Sequence, residues 1–172
     1  MNKLLKIILL SFGFLLAACE QRFEVGEIRV EPEFMEFYND FLIDAKKHGL
    51  DFDSSPISIL YFEDDFVKAY SENENAIAAC SLRDHQILIS KKEVEKIKDY
   101  KNASSEEKKL WIKILIYHEL GHCFLNKKHD DSKTIIEGRI LPKTLMNSTS
   151  PEIWNTFYFK KSDYYFNQLF AE

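Results

Sequence analysis

Two histidines and a glutamate set the chemistry open to this chain. His118-Glu119-Leu120-Gly121-His122 fits the pattern H-E-x-x-H, which has a physical meaning only on an α-helix. Residues four apart on a helix stand one turn above each other, so His118 and His122 can aim two imidazole nitrogens at one point. Imidazoles so aimed hold a divalent metal, zinc above all. Glu119 faces the same space from the side, where a carboxylate can reach a metal-bound water instead of the metal.

The flanking residues supply the helix that this geometry needs. Leu110, Trp111, Ile114, Leu115 and Tyr117 recur at helical spacing, and Lys108, Lys109 and Lys113 put charge on the other face. Ser104 or Ser105, ahead of Glu106 and Glu107, makes a capping start. The plainer reading is a structural helix whose polar groups find partners in the core. Two histidines and a glutamate on one buried helix are seldom left there without partners.

A catalytic zinc takes three protein ligands and leaves a fourth position to water. His129, seven residues after His122, is the nearest third ligand, with Asp130 as a carboxylate alternative and Glu137 further along. Around these residues the chain resembles the metzincin clan of zinc metallopeptidases, whose pattern is H-E-x-x-H-x-x-G-x-x-H followed by a tight turn containing methionine. The departures are local. Leu125 stands where the clan has its helix-ending glycine, and His129 comes one residue late. Asn126 offers a remedy, since Asn tolerates the left-handed conformation of a helix C-cap. Pro142-Lys143-Thr144-Leu145-Met146-Asn147-Ser148 is similar to the methionine turn, which would put Met146 beneath the ligands as an apolar floor, although methionine in an arbitrary protein is more often simply core. The tyrosine that some members carry after this methionine is absent.

The resemblance implies an α+β, zincin-like single domain in which a small mixed sheet packs on the active-site helix, followed by the methionine turn and a C-terminal helix. It also implies a zinc-dependent endopeptidase. His118, His122 and His129 would hold Zn²⁺, Glu119 would act as general base, and the substrate would be a peptide or protein. Three rivals stand beside it. The metal could be structural in a non-catalytic binding or scaffold protein, with Asp130 closing the site. Glu137 could replace His129, as in the gluzincins. The chain could also be an interaction module without metal.

The N-terminus carries an address. Met1-Asn2-Lys3-Leu4-Leu5-Lys6, an apolar run from Ile7 to Leu16 and then Ala17-Ala18-Cys19 make a secretory signal too short to span a membrane. Leu16-Ala17-Ala18-Cys19 resembles the bacterial lipoprotein box. That resemblance implies residues 1–18 as signal peptide, a diacylglycerol on Cys19, a tether over 19–31, a metallopeptidase domain over 32–172, and a place in the cell envelope on the membrane. The plainer reading is an ordinary signal that happens to contain a cysteine. The formal charge is −5 over the whole chain, and loss of Lys3 and Lys6 with the leader makes it more negative. Such a balance gives no support to nucleic-acid binding. Nothing in the sequence points beyond a monomer.

With Cys19 lipidated, Cys80 and Cys123 remain, and an oxidising envelope permits them to pair. Cys123 follows His122 and should face away from the metal by about 100 degrees. A disulfide tying Cys80's strand to the metal helix is the preferred reading; two small buried thiols are the alternative.

In chain order, Pro32 opens a helix with Phe34, Phe37, Phe41, Leu42 and Ala45 on one face, and Gly49 suits its end. Strands are expected over Pro56 to Phe62, Phe66 to Tyr70 as a weaker candidate, Ala76 to Leu82 and Gln86 to Ser90, the last two as a hairpin. Ser90-Lys91-Lys92-Glu93 is a capping box for a short helix to about Tyr100. Ser150-Pro151-Glu152 begins a last helical region through Ile153, Trp154, Phe157 and Tyr158, with a second piece from Ser162 to Phe170. His48 and His85 read as a solvated helix end and an exposed turn residue.

Overall fold

The computed structural model describes residues 27–52, 55–148 and 161–171. The signal sequence, Cys19 and the helical stretch expected around Ile153 to Tyr158 lie outside these residues. None of the described helices is long and apolar enough to cross a membrane.

Among the described residues, a four-stranded mixed sheet, a two-stranded one and five helices make an α+β domain. Strands β1 (Arg29–Val30), β2 (Ser58–Phe62), β3 (Ala78–Ser81) and β4 (Gln86–Ser90) lie in the order β1-β2-β4-β3. β1 runs parallel to β2 and β2 to β4, while β3 returns antiparallel to β4 as the hairpin expected, with Cys80 opposite Ile87. β4 is central, and its run from Ile87 to Ser90 is buried throughout, as strands covered on both faces are. Strand β1 takes Arg29 and Val30 out of the stretch read as tether, because their backbone completes a ladder with β2.

The helices are α1 (Met35–Lys47), α2 (Asp64–Ser71), α3 (Lys91–Asp99), α4 (Ser105–Leu125) and α5 (Ser162–Phe170). Helix α2 corrects the weak strand expected over Phe66 to Tyr70. Phe66, Val67 and Tyr70 are good strand formers, yet their one-and-four spacing suits a helix turn that buries Val67. Asp64 in its first turn fixes the entry. Its carboxylate pairs with Lys68 at 2.8 Å and accepts from Ser90 Oγ at 2.8 Å, and these partners lower its pKa to about 2. Ser90 at the same time caps α3 by accepting from the Glu93 backbone.

Helix α4 is the spine. A complete capping box between Ser104 and Glu107 starts it, and Asn126 at φ 50° ends it in the left-handed conformation. It packs on β3 and β4 along one side and on α1 and α5 along others, which is why apolar residues occur nearly all round it. Between α1, α4 and α5, Phe41 is fully buried among the rings of Tyr117, Phe124 and Phe170. Tyr117 Oη donates to Asp44 at 2.8 Å, and burial raises its pKa. A second, two-stranded sheet, β5 (Lys133–Ile136) with β6 (Arg139–Pro142), follows α4. This hairpin is absent from the strands expected of the sequence. Its signal is present in the β-branched run Thr134-Ile135-Ile136 and the apolar pair Ile140-Leu141 around Glu137-Gly138, both turn residues at positive φ as a tight hairpin turn requires.

A disulfide joins Cys80 in β3 to Cys123 in α4, with Cα atoms 5.8 Å apart and a sequence separation of 43. Closing a loop of that length restricts the unfolded chain by an amount worth about 2–4 kcal/mol. The double variant Cys80→Ser/Cys123→Ser should lose roughly that much stability in denaturant unfolding, and dithiothreitol should remove the same amount from the parent and nothing from the variant.

Candidate metal centre

The last two turns of α4 carry the site. His118 and His122 lie on one face, and their Nε2 atoms are 3.1 Å apart. The chain then reverses at Asn126, whose left-handed backbone lets Lys127 N donate back to Gly121 O at 3.0 Å. This reversal brings His129 over the helix, with its Nε2 3.2 Å from that of His118 and 3.2 Å from that of His122. Asn126 thus takes the part of a helix-ending glycine, and the extra residue before His129 is absorbed in the loop.

The other ring nitrogens fix the tautomers. His118 Nδ1 donates to Leu145 O at 2.7 Å, and His122 Nδ1 donates to Lys127 O at 2.6 Å. With their protons committed there, both Nε2 atoms present lone pairs to each other and to His129. The lone pairs of these two Nε2 atoms of His118 and His122, 3.1 Å apart, repel unless a cation or a proton from His129 stands between them. Two nitrogens each 2.0–2.1 Å from a tetrahedral ion are about 3.3 Å apart, so the spacing fits. The three histidines are the group among the described residues able to hold a metal ion. Burial lowers the His118 pKa to about 3 and also lowers that of His122, which keeps both rings neutral, the form that binds metal.

The loop that brings His129 is sewn to the turn around Met146. Asp130 N donates to Met146 O at 2.8 Å. Asp131 accepts from Ser148 N at 2.8 Å and from Ser148 Oγ at 2.7 Å. Leu145, whose carbonyl orients His118, precedes Met146, so one turn positions two ligands. Met146 is buried against Gly121, where a Cβ added to the glycine would stand 2.7 Å from Met146 Sδ and 2.9 Å from Leu169 Cδ1. Position 121 is glycine because the methionine sulfur occupies the space beneath the helix.

Glu119 is 5% exposed and lines the cleft in front of the histidines. Burial alone raises its pKa to about 8, and no described residue donates a hydrogen bond to its carboxyl. A cation at the histidines would act the other way and favour the carboxylate. The cleft measures about 350 Å³ and runs between α4 and the edge strand β3.

Other candidates fall elsewhere. Asp130 accepts from Ser132 N, and Glu137 sits in the β5–β6 turn paired with Lys161; neither joins the histidine group. His48 stacks on Phe170 at 5.1 Å, and His85 lies in the β3–β4 turn at φ 48°. The Leu145 carbonyl and the Asp131–Ser148 clamp are not foreseeable from the sequence. A backbone acceptor leaves no trace in residue types, and a pairing across 17 positions has no local pattern.

Comparison with known proteins finds no matching family model, no matching curated protein and no matching solved structure.

Two outcomes are expected. Gly121→Ala should cost about 1–3 kcal/mol by overpacking against Met146, read as a lowered Tm. Titration with Zn²⁺ should reach one ion per chain and raise Tm, by an amount equivalent to about 2.7 kcal/mol at 100 times Kd. His129→Ala should abolish most of that shift.

Proposed function

We propose that this chain is a zinc-dependent endopeptidase of zincin-like fold, held in the bacterial cell envelope by a lipid on Cys19. The observation that carries the reading is the convergence of His129 on the H-E-x-x-H pair at an open cleft. A structural site would instead be closed by a fourth protein ligand, and none of the described acidic or cysteine side chains joins the three histidines.

His118, His122 and His129 would hold the ion through Nε2, with the Leu145 and Lys127 carbonyls keeping both helical rings in the binding tautomer. Zn²⁺ bound there would supply Lewis acidity and lower the pKa of water to about 7. Glu119 would take the proton of the attacking water as general base and return it to the departing amine. Its burial keeps bulk water from competing for that carboxyl, and its place on the cleft wall leaves it within reach of a substrate. Strand β3 ends the sheet order among the described residues and lines the cleft, so an extended peptide could add along its outer edge, leaving the scissile carbonyl to face the histidines.

The Cys19 anchor and the envelope location rest on the N-terminal sequence. An oxidising compartment accords with the Cys80–Cys123 bond.

The experiment is Glu119→Gln in the zinc-loaded protein. Zinc content should stay at one per chain while kcat for a protein substrate such as casein falls by a factor on the order of 100 or more. Hydrolysis at the parent rate would remove Glu119 from the mechanism, and absence of any metal-dependent hydrolysis in the parent would remove the peptidase reading.

A further inference from the structure

We infer that the cleft selects uncharged, apolar side chains flanking the bond to be cut, through Tyr70 and Leu82 at its rim. The inference rests on the peptidase reading for its occupant, but its chemistry comes from the walls. Apart from Glu119, no Asp, Glu, Lys or Arg of the described residues lines the cleft, although charged residues make up 30% of the chain. The walls are aliphatic, aromatic, amide and hydroxyl groups. Away from Glu119 and the histidines, a charged substrate side chain would give up hydration and meet no counterion among the described residues, whereas an apolar one would gain contact.

The rim shows where that contact lies. Tyr70 is 44% and Leu82 55% exposed, and both line the cleft. Tyr70 lies near the end of α2, and Leu82 directly follows β3. Ile77, also on the wall, directly precedes β3. Ile77 and Leu82 therefore bracket the edge strand along its length. A peptide lying beside β3 runs past an apolar group at each end of the strand, in the cleft that the histidines also line. Tyr70 and Leu82 stand exposed at the mouth of the cleft, where a substrate side chain can cover them.

The test uses the zinc-loaded full chain in detergent and a set of N-acetylated tripeptide hydroxamates that differ in one side chain, Leu, Tyr, Lys or Glu. Hydroxamate engages the metal in each, so calorimetric titration reads the wall alone. The Leu and Tyr compounds should bind at least about tenfold more tightly than the Lys and Glu compounds, the scale on which one misfitted group discriminates. Leu82→Glu, at an exposed position where folding is not at stake, should strengthen the Lys compound relative to the Glu compound, and Tyr70→Ala should weaken the Tyr compound. Equal binding by all four, or no binding by any, overturns the inference. Selective binding without cleavage of the matching peptides would uphold this wall chemistry and sink the peptidase reading; cleavage indifferent to charge would do the reverse.

Discussion

Three imidazole Nε2 atoms are held 3.1–3.2 Å from one another, with His118 and His122 in the tautomer that turns a lone pair toward the gap. Left alone, the two helical lone pairs repel, and the surrounding contacts hold them in place. The Leu145 and Lys127 carbonyls take the Nδ1 protons, Asn126 turns the chain, and Asp130 and Asp131 fasten the His129 loop to the turn of Met146. Each of these contacts either aims a nitrogen or prevents its escape. A site built this way is preorganised for a cation, because the cost of gathering the ligands is met by folding and not by the metal.

The packing around α4 follows from the same requirement. A helix that must present two histidines without fraying has to be fixed along its length, and α4 is gripped by the sheet, by α1 and α5, and by the Cys80–Cys123 bond one residue past His122. Gly121 serves the same end. Its missing side chain admits Met146 from below, so that the turn carrying the Leu145 carbonyl sits close enough to reach His118. The disulfide also ties the edge strand to the helix, which fixes the width of the cleft between them.

Much of the site is legible in the sequence because its signals are local. Ser104 and Glu107 announce the start of α4, four-residue spacing pairs the histidines, and Asn126 carries the turning propensity that Leu125 lacks. Phe66 to Tyr70 misleads because strong strand formers at helical spacing give two conflicting signals, and tertiary burial of Val67 decides between them. The β5–β6 hairpin is easily passed over, although Glu137-Gly138 is a turn pair between a β-branched run and an apolar pair.

By itself the sequence determined the ligand types, the helix that carries two of them, the chain reversal after it and the pair of cysteines able to bond, since each depends on residues close along the chain or on composition. Only the tertiary structure decided that His129, rather than Asp130 or Glu137, meets the helical pair, that Arg29 and Val30 belong to the sheet, and that the cleft walls are almost free of charge. Those outcomes depend on which distant segments touch, and contact between residues far apart in sequence is set by the packing of the whole core, not by any local pattern.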